Sequence, residues 1–352
     1  MGTIIRRGGL YLPLNVFETP SNTIYLGRRE MNFGLQEIAL NLSNPTILFF
    51  LLGVLAVVVK SDLEIPASSS KFIALYLLFS IGFKGGQELS HEVIDQEVLL
   101  SLLLGVLISA VIPLYTFFIM RWKLDVQNAA AVAASYGSVS AVTFVAAMSI
   151  MELHQMHSGG HMVAVMAMME SPAIIVGVML MMRFGMDNGK SMSMRTILRH
   201  SVTNGSVLLI LGSLLIGWIA DVKQAEGIKP FTTDIFKGFL ALFLLEMGMV
   251  TARRFAAFRQ YGGWMTLFGI LIPLFNGSWV ACFSQWVTDD VGNRFVFAVL
   301  AASASYIAVP AAMRMAAPKA DPGLYIPMAL GITFPVNLTI GMPLYLWIVE
   351  LT

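Results

Sequence analysis

The feature that most constrains this chain is a series of apolar runs, each of membrane length, that recur from residue 44 to residue 351. A helix that crosses a bilayer core of about 30 Å needs about 20 mostly apolar residues. Of the 352 residues, 57% are hydrophobic and 12% are charged, and the mean hydropathy is +0.76. Because backbone polar groups cannot stay unpaired in lipid, these runs predict an all-α polytopic membrane protein.

The apolar runs predict ten transmembrane helices: 44–59, 72–84, 98–120, 129–150, 162–184, 206–220, 235–251, 263–287, 295–313 and 324–348. Lys and Arg residues concentrate in the odd-numbered connections, which predicts that these connections are cytoplasmic and that both termini face outward. We therefore expect a multi-pass protein of the inner (plasma) membrane.

The hydrophilic stretches divide the chain into four predicted parts. Residues 1–40 form a peripheral N-terminal extension with an interfacial segment, because they are neither apolar enough for a signal peptide nor patterned like the rest. Residues 185–202 form a cytoplasmic linker. This linker separates a first membrane repeat, 41–184, from a second, 203–352.

The two membrane halves align with each other at a nearly constant offset. The paired features are Gly53 with Gly212, Gly82 with Gly248, VIPL at 111–114 with LIPL at 271–274, Ser138 with Ser305, and Pro172 with Pro335. Five such pairs in the same order indicate an internal repeat. Since each half has five spans, an odd number, the second half must enter the membrane from the opposite side. The sequence thus predicts two inverted five-helix repeats.

Spans four and nine contain small, hydroxyl-rich stretches that weaken a helix, AASYGSVSAVTFVAAM from residue 133 and AASASYIAVPAAM from residue 301. A discontinuous helix that lines an ion site uses such residues, because its backbone and hydroxyl groups can leave the helical ladder and bind a ligand. We predict that helices 4 and 9 are discontinuous and cross at the bilayer centre. Gly137 and nearby hydroxyls weaken the first, and Pro310 enforces the break in the second.

Crossed half-helices can bind both an anion and a cation. The N-terminus of a half-helix offers unpaired amides and a positive dipole end, which favour an anion. Freed carbonyls and hydroxyls suit a desolvated sodium ion. Glu170, within span five, is predicted to be a sodium ligand, because a buried carboxylate costs about 2.5 to 3.5 kcal/mol unless a cation or partner compensates it. Glu246, in span seven, is either a second coupling group or a structural acid.

Other functional classes lack support in the sequence. The chain has no P-loop, HExxH or GxSxG motif, so neither ATP-driven transport nor hydrolase chemistry is indicated, and we expect no enzymatic activity. A net charge of +1 gives no indication of nucleic-acid binding.

Five strings in residues 41–352 resemble the sodium-dependent bicarbonate permease family: NPTILFFLLG, IPASSSKFIALYLLFSIGFKGG, YGSVSAVTFVAA, MMESPA and AASASYIAVPAAMRMAAPKADPGLYIPMALGITFPV. The resemblance covers nearly the whole membrane portion. It implies a homotrimer of inverted repeats in the lipid bilayer that carries bicarbonate between the breaks of helices 4 and 9, with Na⁺ bound alongside.

The resemblance also implies site residues. The anion would lie between two segments formed by Gly137, Ser138, Val139, Ser140 and Ala141 and by Ser303, Ala304, Ser305, Tyr306 and Ile307. Sodium would be held by Gly137, Ser140, Thr143 and Glu170, the last standing where the family usually has Asp.

The chain departs from the family at the second sodium site. The family pattern SSSD reads SASY here, so Tyr306 replaces an acid. A phenol is neutral at working pH and is a poor sodium ligand. The protein therefore couples one ion, or takes a charge from Glu246, or carries a different anion. The family can also dock a PII-like regulator on the connection between spans five and six, but that connection is short here and lends no support to such a partner.

The leading hypothesis is a sodium-coupled symporter that imports bicarbonate or a similar small monoanion by alternating access. One alternative is a sodium/proton antiporter, since inverted five-helix repeats with crossed broken helices also occur in that class, although span nine has no acid at its break. Another is a sodium-coupled organic-anion carrier on a related fold.

Overall fold

The computed structural model describes residues 45–185, 205–258, 262–306 and 308–352. The predicted N-terminal extension, almost all of the predicted linker, and Ile307 lie outside these residues. Within the described ranges the chain is entirely helical and contains no β-strand. The predicted all-α class is therefore confirmed for this part of the chain.

Thirteen helices are described, numbered here in chain order: α1 Pro45–Val58, α2 Ala67–His91, α3 Gln96–Met120, α4 Val126–Gly137, α5 Ala141–Leu153, α6 His161–Phe184, α7 Gly205–Ile219, α8 Val222–Glu226, α9 Phe236–Phe258, α10 Gly263–Phe283, α11 Val291–Ala302, α12 Ala308–Ala316 and α13 Pro322–Leu351. Two π-helical turns, Ala329–Thr333 and Asn337–Gly341, interrupt the regular geometry of α13.

Six stretches in the described ranges are long and apolar enough to cross a membrane: Gln96–Met120, Val126–Glu152, His161–Phe184, Pro230–Arg253, Gly263–Trp286 and Pro322–Leu351. Shorter apolar helices lie at Leu48–Val58, Leu208–Ile219 and Val291–Ala302. The helix α2 has 25 residues but carries Lys71, Lys84 and Glu88. The ten predicted spans thus overlap six long apolar stretches, one of which is divided into α4 and α5, and four shorter or more polar helices.

Close helix pairs depend on glycine. The helix α1 packs against α9, and α2 packs against α7. A Cβ atom at Gly53 would overlap the carbonyl oxygen of Leu245, and one at Gly248 would overlap that of Phe50. Because glycine has no side chain, the α1 and α9 backbones approach to a distance that no other residue would allow.

A second group of helices surrounds the interrupted spans. The helices α3, α4 and α6 pack on one another, and α10, α11 and α13 form a similar set. The helices α4 and α11 are buried along most of their length, which explains why α4 is rich in alanine. The segments that carry the predicted site are therefore enclosed by protein instead of lipid.

Candidate functional site

The first interruption lies in the fourth predicted span. The helix α4 ends at Gly137, Ser138 and Ser140 are extended, and α5 begins at Ala141. The Ser140 hydroxyl caps α5 by accepting a hydrogen bond from the Thr143 amide at 3.3 Å. A Cβ atom at Gly137 would overlap the Pro113 ring of α3. Gly137 therefore allows the end of α4 to pack closely against α3.

The second interruption lies in the ninth predicted span. The helix α11 ends at Ala302, Ser303 is extended with φ −77° and ψ 165°, and α12 begins at Ala308. The helix α12 begins two residues before Pro310, so the interruption lies just N-terminal to the proline. That Pro310 enforces the break stays a prediction. Pro310 lies in the first turn of α12, where an amide has no intrahelical partner, so its missing N–H costs the helix nothing.

Hydrogen bonds join the two interruptions directly. The Ser305 amide donates to the Ser135 carbonyl at 2.8 Å, and the Ser135 hydroxyl donates to the Ser305 carbonyl at 2.7 Å. The Ser140 amide donates to the Ser303 hydroxyl at 3.0 Å. Backbone groups that lost their helical partners at one break thus find hydrogen-bond partners at the other, although the two segments are distant in sequence. Buried backbone N–H and C=O groups need such partners.

A small cavity that is partly open to its surroundings lies beside this junction. Its polar wall comes from Ser140, Glu170, Ser305 and Tyr306. Two helix N-termini, of α5 and α12, begin next to it. Their dipoles place partial positive charge near the cavity, and the Glu170 carboxylate adds an acidic group. The cavity thus offers groups suited to an anion and to a cation.

Six of the residues predicted for the site line the cavity: Val139, Ser140, Ala141, Glu170, Ser305 and Tyr306. The others for which the structure gives a position, Gly137, Ser138, Thr143, Ser303 and Ala304, are buried next to it. The Ser138 hydroxyl donates to the Glu170 carbonyl at 3.2 Å, which joins the first break to α6. Ile307 lies outside the described residues.

Glu246 lies apart from the cavity lining. It is half-buried on α9, where the Ser70 hydroxyl is within hydrogen-bonding reach of its carboxylate. Its Oε2 atom is buried without a hydrogen-bond partner among the described residues. The Tyr306 phenol is near enough to interact electrostatically with it. Glu246 therefore adjoins the site through Tyr306.

Sequence reasoning missed the apolar wall of the cavity, whereas the apolar surroundings of Asn337 in the sequence predict an amide that joins helices. Leu78 of α2, Met166 of α6 and Ile210 of α7 line the cavity. Asn337 donates its side-chain amide to the carbonyl of Ala302, the last residue of α11, at 2.7 Å. The three apolar residues carry no local signal, because they resemble any other residue of an apolar helix.

A polytopic helical protein with paired helix breaks around a buried polar cavity belongs to the class of secondary transporters. The sequence profile of the Na⁺-dependent bicarbonate transporter superfamily matches residues 45–350. The match covers nearly the whole chain, so the protein belongs to this superfamily. It is therefore a transporter and not an enzyme, and the resemblance seen in the sequence is confirmed. None of the curated proteins compared with the chain matches it.

Proposed function

We propose that the protein is a sodium-coupled symporter that imports bicarbonate or a similar small monoanion through the cavity at the two breaks. The supporting observation is the hydrogen-bonded junction of the interruptions beside Glu170. The amide ends of α5 and α12 favour the anion, and the Glu170 carboxylate favours sodium. Binding of both together lowers the cost of burying either charge in the membrane.

In this proposal the anion lies between the segments 137–141 and 303–307. Sodium lies on the side of Glu170, with Ser140, Thr143 and the carbonyl of Gly137 as the other ligands. The Ser138 bond to the Glu170 carbonyl keeps the acid next to the first break. Neutralising Glu170 with sodium would let the loaded site cross the apolar interior.

We further propose that the ten spans form two inverted repeats. Matched features support this: α4 and α11 both have 12 residues, each is capped by an aspartate, Asp125 or Asp290, and each is followed by an extended serine, Ser138 or Ser303. Pro113 and Pro273 lie inside the corresponding helices α3 and α10. Aligning the two aspartate caps pairs Ser138 with Ser303. The sequence alignment paired Ser138 with Ser305 instead, two residues further along the chain.

Alternating access would involve a movement between two helix groups. The cavity lies where Leu78 and Ile210, from the α2 and α7 pair, face the interrupted spans. We propose that α1, α2, α7 and α9 form a static part that also contacts neighbouring copies in a homotrimer, and that the group around the breaks moves against it. From the distribution of Lys and Arg in the connections, we also propose that both termini face outward.

The test is uptake of labelled bicarbonate into proteoliposomes under an inward sodium gradient. The proposal predicts uptake that rises with sodium and is not supported by potassium at the same concentration. Sodium-driven proton movement without any requirement for an anion would support an antiporter instead. Sodium-driven uptake of organic anions, with no competition by bicarbonate, would support an organic-anion carrier.

A further inference from the structure

The two breaks differ in the polar groups that they leave free for a ligand. In the second break, the Ser303 hydroxyl donates to the Leu300 carbonyl at 2.7 Å and accepts from the Ser140 amide at 3.0 Å. Both backbone groups of Ser305 are bonded to Ser135. The Ser303 hydroxyl and the Ser305 carbonyl, two oxygens of this break that would suit a cation, are therefore already engaged within the protein.

Asn337 occupies the carbonyl end of α11, where a cation would otherwise find a ligand. It is fully buried, and its Nδ2 atom donates to the Ala302 carbonyl at 2.7 Å. Its Oδ1 atom accepts from the Tyr345 hydroxyl at 3.0 Å, and that hydroxyl also lies 3.0 Å from the Pro273 carbonyl. This network orients the amide with its donor toward the break. A fixed donor repels a cation from the Ala302 carbonyl.

The position that corresponds to Glu170 in the second repeat is neutral. Pairing Pro172 with Pro335 aligns Glu170 with Thr333. The buried Thr333 hydroxyl lies 2.9 Å from the Gly269 carbonyl and 2.8 Å from the Tyr136 hydroxyl, so it is bonded on both sides. Glu170, in contrast, lines the cavity, and its carboxylate has no hydrogen-bond partner among the described residues.

We infer that the protein moves one sodium ion with each monovalent anion, so that a complete transport cycle moves no net charge. This inference rests on the proposed symport. The Glu170 carboxylate of α6 lies beside the first break, whereas the polar groups around the second break are neutral: the Tyr306 phenol, the Thr333 hydroxyl and the Asn337 amide. One carboxylate provides for one sodium. Because the Glu170 charge stays on the protein and returns with the empty carrier, one sodium and one monovalent anion sum to zero transported charge.

Glu246 is the rival site for a second sodium, because its Oε2 atom is buried without a partner and it adjoins Tyr306. A second sodium there would make transport electrogenic. The variant Glu246→Gln removes this charge and keeps the size of the side chain. The inference predicts that the variant keeps the sodium dependence and the charge stoichiometry of the original protein.

The experiment combines two readouts on proteoliposomes that contain the full chain. Labelled bicarbonate uptake is measured with and without sodium, at zero potential and with a negative interior set by potassium and valinomycin. Transport current is recorded on a supported membrane after a jump to sodium bicarbonate. For one net charge per cycle, a potential of about 59 mV changes the limiting accumulation ratio tenfold.

The expected result is sodium-dependent uptake whose accumulation ratio is unchanged by the potential, with no sustained current, in both the original protein and Glu246→Gln. A tenfold change in the ratio and a sustained current would overturn the inference and leave sodium coupling intact. If that current disappears in Glu246→Gln, Glu246 holds the second sodium. Uptake that is indifferent to sodium would instead overturn the proposed symport and this inference together.

Discussion

At the scale of single residues, Glu170 carries the coupling in this account. Its carboxylate lines the cavity, and its own backbone carbonyl is held by Ser138 of the first break. A carboxylate without a partner inside a membrane-spanning segment is costly. Acidic residues that are kept in such segments despite this cost are typically functional. The side chain is thus placed to bind a cation that arrives with the anion.

Replacing Glu170 with Gln removes the charge and keeps the volume. The sodium concentration for half-maximal bicarbonate uptake should rise at least about tenfold, equivalent to about 1.4 kcal/mol. The matched control is Glu152→Gln, because Glu152 is exposed at the end of α5 and pairs with the exposed Lys237. Sodium titrations of uptake should separate the two variants. Equal sodium dependence in Glu170→Gln and the original protein would remove the assigned cation ligand.

Ser135 provides a second test at the residue scale. Its hydroxyl donates to the buried Ser305 carbonyl, so Ser135→Ala leaves an acceptor unpaired, which costs about 1 to 3 kcal/mol. We expect a lower midpoint of thermal unfolding and a weaker apparent affinity for bicarbonate. Ser101→Ala is the control, because the buried Ser101 hydroxyl has no hydrogen-bond partner among the described residues. A loss of stability as large in Ser101→Ala would contradict the importance of the junction.

At the scale of helices, most of the architecture was predictable and its details were not. Apolar length and the positions of hydroxyl clusters predicted the helices and both interruptions, because these signals are local. The role of Pro310 stays a prediction, because a proline suits the first turn of a helix whether or not it causes the break that precedes that turn. The bonds from Ser135 and Asn337 to the second break depend on segments far apart in sequence, so no local pattern reveals them.

Glycine contacts between α1 and α9 give a prediction at this scale. Gly53→Ala would force a Cβ atom into the Leu245 carbonyl and push the helices apart, at a cost of about 1 to 3 kcal/mol. Gly212→Ala on α7 is the control, because its Cβ would meet no atom within 4 Å and alanine favours a helix. Thermal unfolding in detergent should show a lower midpoint for the first variant and an unchanged or higher one for the second. The reverse order would contradict the described α1 and α9 packing.

At the scale of the whole molecule, the close helix pairs α1 with α9 and α2 with α7 form one group, which we call the framework. The enclosed spans that carry the breaks form a second group. Leu78 and Ile210 connect the framework to the cavity, which places the site at the boundary between the two groups. Alternating access at one site requires such a boundary, because the barrier on each side must form and open in turn. Family membership indicates bicarbonate and sodium as the transported ions, and we propose that one cavity binds both.

The most direct measurement is an experimental density map of the protein in a lipid nanodisc with sodium and bicarbonate. The account predicts interrupted helices at 138–140 and 303–307 that lie side by side, with anion density between them and a cation next to the Glu170 carboxylate. Continuous helices through these residues, or bound ions remote from Glu170, would contradict it.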